Sequence, residues 1–498
     1  MSADNLRNRI DTVKAWTNKN IFTTSIDNGT SGDHPMDRMD RPAMGSIDEG
    51  VAHNSEYNYD ETGDASYQQT DGRMNGDANS GDANVDETDE HGIDGKMITS
   101  YQAAWNVTNA IQGMFIVGLP QAVRVGGWWA ILALVGVAYI CYYTGILLVQ
   151  CLYDDKGKRV RSSYKAIAEE CYPWGGTIVL GAQLTELLMT CILYLVLAGD
   201  LLEGSFPAID KAGWMMLTAT VLLPCAFLMD LTAVSRLSFW NTISHIVINV
   251  IILLYCLTQI GRWAWGSVRI SLDINTFPTV MGVVVFSYTS HIFLPTLEGS
   301  MMERSEFQPM LKWSHIAAAV FKATFGFVGF LTFDEYTQDE ISNSLPNQQF
   351  KVLVNLILMV KAVLSYPLPY FATVQIVRQN LFLGAPKTSF SGCFGADGSL
   401  REWALSLRIC LVLFTLFMAL SIPYFVLLMG LVGNITGTLL SFVWPTLFHL
   451  KIKGHTLTDR QKMLSYAIIG SGLCFGAVGL VYSSLLLSDA INEVKEYE

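Results

Sequence analysis

A chain of 498 residues that is 51% hydrophobic, with a mean hydropathy of +0.33, is too apolar for a string of ordinary water-soluble domains. Its net charge of −12 sits at one end: residues 1–97 carry 20 Asp and Glu against 8 Lys and Arg, while the other 401 residues hold 24 of each sign. There is no Gly-rich phosphate loop followed by Lys-Ser/Thr, no His-Glu-x-x-His and no Gly-x-Ser-x-Gly, so nothing supports soluble-enzyme chemistry, a cofactor, a metal or a nucleic-acid partner.

Residues 1–97 are rich in Asp, Gly, Asn and Ser and nearly free of aliphatic runs, so they cannot bury enough apolar surface to offset the entropy of ordering. They read as a disordered acidic tail, with residues 98–498 forming a polytopic transmembrane domain in the lipid bilayer. The first apolar run begins near Trp105, and no basic start followed by an apolar core precedes it, which places the tail in the cytosol.

A membrane helix needs about 20 apolar residues. Eleven windows qualify, the first over 105–124. It reads Asn106-Val-Thr-Asn109-Ala-Ile-Gln-Gly113-Met-Phe115-Ile-Val-Gly118-Leu-Pro120, a helix interrupted by two glycines and a proline. The second, 128–152, is followed by Lys156, Lys158, Arg159, Arg161 and Lys165, which puts that loop in the cytosol. In the third, 175–200, Gln183, Glu186, Thr190 and Tyr194 share one helix face and should look into the bundle. A carboxyl at membrane depth is costly, and desolvation brings it into a range where a proton is exchanged, so Glu186 is the first candidate for ion coupling.

The fourth window, 213–229, is short, and the fifth, 237–260, carries Asn241, His245 and Asn249 at spacings of four, read as a packing stripe. The sixth, 278–299, is broken like the first: Tyr288-Thr289-Ser290-His291 at mid-span, then Pro295 and Glu298. Lys322 in the seventh, 311–333, is expected to partner a buried carboxylate. Lys361 in the eighth, 350–378, precedes Ser365-Tyr366-Pro367-Leu-Pro369; an ammonium there can take the place where related transporters hold sodium. The ninth and tenth, 402–422 and 424–450, are divided only by Pro423, leaving ten or eleven spans with the last at 464–488. Lys451, Lys453, Arg460 and Lys462 mark a second cytosolic loop. Asp334, Glu335, Asp339 and Glu340 after the seventh span, and Glu493, Glu496 and Glu498 at the C-terminus, belong on the face opposite the cytosol.

Backbone freed by a break in hydrocarbon must find partners in protein or a wet cavity. Paired breaks in the first and sixth spans are what an all-α inverted repeat of five plus five helices, with an eleventh appended, would produce. Half-helix N-termini facing such a cavity suit a carboxylate, hence an amino-acid-like substrate. A channel or seven-span receptor predicts no such pair. Of the nine cysteines only Cys171 and Cys393 fall in loops, both cytosolic, so no disulfide is expected.

The strings Trp105-Asn106-Val-Thr-Asn109-Ala-Ile-Gln-Gly113-Met-Phe, Glu186-Leu-Leu-Met-Thr-Cys-Ile-Leu-Tyr194, Val285-Phe-Ser-Tyr-Thr-Ser290 and Leu364-Ser-Tyr-Pro-Leu-Pro369 resemble the amino acid/auxin permease family, and within it the vesicular carriers of inhibitory amino acids. The likeness runs over nearly everything after residue 97. It implies a LeuT-like fold and residence in synaptic vesicle membranes. It also implies GABA and glycine as substrates, protons as the exchanged ion, a gradient made by a separate proton pump, and an open question over chloride. The match implies a substrate site from Asn109, Gly113, Phe115 and Gly118 with Tyr288, Thr289, Ser290 and His291, and a coupling role for Glu186 and Lys322; Lys361 is a third coupling candidate on its position at membrane depth alone. Vertebrate vesicular carriers have Gln at the position of His291, where related glutamine carriers have His. The competing expectation is a plasma-membrane proton- or sodium-coupled neutral amino acid symporter of the same family.

Overall fold

The computed structural model describes residues 98–111, 113–224, 231–380 and 402–497; the tail over 1–97, with Cys225 and Cys393, lies outside them. The first helix, α1 (Ser100–Ile111), opens on a reciprocal cap in which the Thr99 hydroxyl accepts from the Gln102 amide and the Gln102 side chain accepts from the Thr99 amide. A 3-10 turn over Met114–Gly118 then leads into α2 (Leu119–Gln150). The break therefore sits at Gly113, while Gly118 and Pro120 start the next helix, where proline at the first turn costs no backbone bond.

Two windows meet inside α2. At Gly127 the backbone has φ 54° and ψ −137°, and a Cβ there would stand 2.1 Å from the Arg269 carbonyl oxygen, so only glycine permits this corner. The same oxygen accepts from the Trp128 amide. A short helix, α3 (Tyr164–Cys171), comes after a loop and makes Cys171 a buried helix terminus, not a loop residue.

The remaining helices are α4 (Gly175–Ser205), α5 (Lys211–Leu222), α6 (Leu231–Thr258), α7 (Phe277–Ser287), α8 (Leu294–Gly299), α9 (Phe307–Phe333), α10 (Gln348–Ser365), α11 (Pro367–Asn380), α12 (Glu402–Ser421), α13 (Phe425–Val432), α14 (Trp444–Lys453) and α15 (Asp459–Tyr497). Two π-helical turns, Gly433–Gly437 and Leu439–Val443, join α13 to α14. Among the described residues six stretches are long and apolar enough to cross a membrane: Met114–Gln150, Gly175–Ser205, Arg304–Tyr336, Gln348–Val377, Phe425–Lys453 and Asp459–Asn492. Ile243–Thr258, Phe277–Ser287 and Leu405–Ser421 are shorter apolar helices. Each of the eleven apolar windows falls mainly on helix where it is described, with the backbone leaving helix inside the first at Gly113 and inside the sixth over 288–293.

Large apolar side chains on the outer faces, among them Leu132, Val247, Leu254, Val320, Phe417 and Val481, are more than half exposed. In water such a girdle would drive association; in hydrocarbon it carries no penalty, and the interior of the bundle is left free to hold polar groups. Replacing Gly127 with Ala is expected to destabilise the protein by about 1–3 kcal/mol through positive-φ strain alone, with more from the Arg269 clash. Thermal unfolding of the detergent-solubilised full-length protein measures it.

Candidate functional site

The first break delivers Phe115 into the bundle. Its ring lies 5.2 Å from Tyr194 of α4, 5.1 Å from Phe286 of α7 and 6.1 Å from Phe425 of α13, centroid to centroid, and the residue is 9% exposed. Three helices distant in sequence thus converge on the turn. Tyr194 in turn interacts through its hydroxyl with Ser365 at the end of α10. A 3-10 turn capped at Gly113 leaves its first amides, Met114 and Phe115, without partners inside the turn. Gly113 itself is half-buried, with no atom closer than 3.7 Å to where a Cβ would stand. Gly118 is different: Phe425 lies 3.2 Å from its Cβ position, so its backbone is covered by packing and does not face a hollow. Asn109 belongs to α1, and its side chain lies outside the described residues.

At the sixth-span break the carbonyls that end α7 are each met. At the C-terminus of α7 the Val284 carbonyl accepts from the Ser287 hydroxyl (2.8 Å), Val285 from the Tyr288 amide (3.0 Å), and Phe286 from the amide and hydroxyl of Thr289 (3.2 and 2.9 Å). The last carbonyl, Ser287, accepts from the Lys322 ammonium, which also stands 3.9 Å over the Tyr288 ring. The expectation that Lys322 partners a carboxylate is therefore corrected. The negative end of a half-helix and an aromatic face take that place, and no ion pair to Lys322 occurs among the described residues.

Glu186 is 5% exposed, with the hydroxyls of Thr289, in the sixth-span break, and Thr436, in the first π turn, as its side-chain partners; its Oε2 is unpaired. Each threonine already donates to a carbonyl of its own segment, Phe286 and Val432. Their lone pairs remain free to accept, which is the arrangement a protonated carboxyl can use. The stripe read from the sequence is real in burial: Gln183 and Glu186 are buried, and Thr190 and Tyr194 partly so.

His291 turns toward α2. Its Nε2 lies 3.0 Å from the Thr144 hydroxyl, which donates to the Ile140 carbonyl at 2.8 Å, so Nε2 carries the hydrogen and Nδ1, unpaired, is bare. Ser290 and Tyr288 are buried with unpaired hydroxyls beside it in the chain. Lys361 is 4% exposed on α10, and the titratable group it bears on is His245 of α6. Asn249 donates to the His245 carbonyl, while the Asn241 side chain lies outside the described residues.

Sequence reading brought forward Phe115, Glu186, Thr289 and Tyr288 but missed Thr436, Phe286 and Phe425. The Gly433-Asn434-Ile-Thr436-Gly437 string, small and polar inside an apolar window, was the signal for the first of these. No group of three or more His, Cys, Asp or Glu side chains gathers as a metal site among the described residues.

Beyond this geometry, a family model described as transmembrane amino acid transporter protein matches residues 96–487. A vesicular GABA transporter of Caenorhabditis elegans is 55% identical over 504 residues, covering 97% of this chain and 99% of the relative. Vesicular inhibitory amino acid transporters of Mus musculus and Homo sapiens are each 45% identical over 403 residues, 79% of this chain and 77% of theirs. Truncating Phe115 to Ala is expected to cost about 3–5 kcal/mol of stability, and Phe115→Leu much less, on the usual scale for a buried ring. A detergent melting series would show it.

Proposed function

We propose, for a chain that belongs to the transmembrane amino acid transporter family, that it loads GABA and glycine from the cytosol into synaptic vesicles in exchange for protons. The relatives' names speak of GABA and inhibitory amino acids and of vesicles, and that supports the substrate class and the compartment. The observation that carries the mechanism is the meeting of two interrupted segments around Phe115 and Thr289, with a buried carboxyl, Glu186, that meets the second of them and keeps one oxygen unpaired.

In this reading the architecture is a five-plus-five inverted repeat with an added eleventh helix, and residues 1–97 form the cytosolic tail. The substrate carboxylate binds the amides at Met114 and Phe115, which have no partner inside the turn, over the aromatic floor of Phe115, Tyr194 and Phe286. The α7 carbonyls through Ser287 are already taken, so the substrate ammonium is left with the later backbone and hydroxyls at Tyr288, Thr289 and Ser290. Lys322 holds the broken end open in place of a loosely bound cation, which fits a carrier indifferent to sodium. Glu186 passes a proton between its threonine partners and water as α1, α2, α7, α8 and α9 rock against α4, α5, α10, α11 and α12. Protons come from a separate pump, and the N-terminus faces the cytosol while the C-terminus faces the lumen.

Purified protein in proteoliposomes tests this directly. GABA uptake driven by an imposed pH gradient should collapse with an uncoupler and ignore external sodium. Glu186→Gln should remove pH-driven accumulation while keeping substrate counterflow; a variant that still concentrates GABA at the parent rate would end the coupling role. His291→Gln keeps a side-chain donor toward Thr144 and is expected to leave both uptake and its pH profile within about twofold of the parent, a difference of under about 0.5 kcal/mol.

A further inference from the structure

At the end of the bundle opposite the basic loops, residues 334–347 form an irregular loop that is more deeply buried than its position implies. Thr337 and Ser342 are 0% exposed, Ile341 0% and Leu345 1%. The loop sits against α4 so closely that a Cβ on Gly204 would stand 2.2 Å from the Asn343 Oδ1. It also covers the start of α2: the Asp339 carbonyl oxygen is 3.6 Å from the Gly118 Cβ position, and Arg124 donates to the Thr337 carbonyl at 2.9 Å. The loop therefore covers the start of α2 beside the first-span break, as a plug would.

The seam between plug and bundle is acidic. Asp200 near the end of α4 and Glu340 on the loop face each other, Glu340 3% exposed with its Oε1 unpaired. Lys211 of α5 forms an ion pair with Asp200. Asp339 faces Arg124 and Gln121 of α2 as well as Lys211. Asn343 donates to the Asp200 carbonyl and to Glu340 Oε2, both at 3.3 Å, and Glu203 accepts from the Lys211 backbone amide at the rim. Within the seam three carboxyls thus meet two cations, one negative charge too many. Two carboxylates cannot hydrogen-bond each other, because neither has a donor; one proton between them supplies it and also neutralises the surplus.

We propose that Asp200 and Glu340 share one proton, and that this proton is what lets the 334–347 loop seat on α4, so that its loss releases the plug. No atom of substrate is involved: the proton comes from water on that side and returns to it when the loop lifts. Burial, then the negative charges of Asp200 and Asp339, hold the Glu340 carboxyl well above the usual carboxylate range in the seated state, against Lys211. Once the loop lifts, that carboxyl returns to about 4.3. Seating therefore binds a proton; its stabilisation is complete below about pH 4.3 and is lost as pH climbs through the seated value. On the reading of this face as lumenal, acid made by the pump closes the exit behind released substrate.

The experiment uses the full-length protein in liposomes and needs no transport, so failure of GABA uptake and failure of the proton pair are told apart. Cysteine at the buried Ser342 (Ser342→Cys) is labelled with a membrane-impermeant maleimide, and its rate is divided by that of cysteine at the exposed Gln338 (Gln338→Cys) to remove the reagent's own pH dependence. The ratio is expected to rise at least about fivefold between about pH 5 and about pH 8. Glu340→Gln, which donates without titrating, and Asp200→Asn should hold it at the low-pH value throughout. A flat ratio in the parent overturns the proposal whatever the variants do, as does an unchanged pH dependence in Glu340→Gln. A ratio that tracks added sodium or calcium at fixed pH points to a cation in the seam and overturns it equally.

Discussion

Hydrocarbon supplies no hydrogen bonds, and the bond from the Lys322 ammonium to the Ser287 carbonyl is the condition on which the sixth span is able to stop half-way. The other carbonyls at that terminus are met locally, by Ser287, Tyr288 and Thr289. The last one cannot be, since the chain has already turned away. An ammonium from α9 fixes the register of that helix against the broken end, and the Tyr288 ring beneath it spreads the charge. The same turn places Ser290 and His291, the next residues of the break.

Around this anchor the helices approach to backbone contact. A Cβ on Gly433 would stand 1.9 Å from the Gly282 carbonyl oxygen, and one on Gly282 would stand 2.1 Å from that of Gly430. The π turns begin at this contact, and Asn434 bridges from them to the Pro278 carbonyl and the Ser483 hydroxyl. Widening the helix by one residue per turn swings Thr436 onto the face that meets Glu186. A sequon at Asn434 is thus an internal strut, buried at 1% exposure.

The coarse plan was legible because it depends on what a residue is: apolar windows, paired interruptions, and an acidic residue on a polar stripe. The partners were not, because they depend on where the backbone goes. Lys322 looked as if it needed a carboxylate, yet its acceptor is a peptide oxygen, which every residue carries and no pattern marks. Gly118 read as bare backbone, although Phe425, more than three hundred positions later, covers it. His291 does belong to the break, and what the sequence did not mark is that the small Gly145 of α2 leaves room for its ring, with Nε2 3.8 Å from that glycine's Cβ position. In a bundle whose cohesion comes from close packing, a glycine records an intrusion by something whose identity must be found elsewhere.

At the basic end, Ile98 pairs with the chain just past α8: its amide donates to the Ser300 carbonyl at 2.7 Å, and its carbonyl accepts from the Met302 amide at 2.9 Å. Glu298, one turn earlier, is clamped by Arg159 at 3.2 Å and by the Tyr153 hydroxyl. The half-helix before the first interruption and the half-helix after the sixth are therefore stitched together by main chain. Under the proposed rocking the two would travel as one piece, so a displacement of Ile98 would be carried by main chain straight to the segment just past α8.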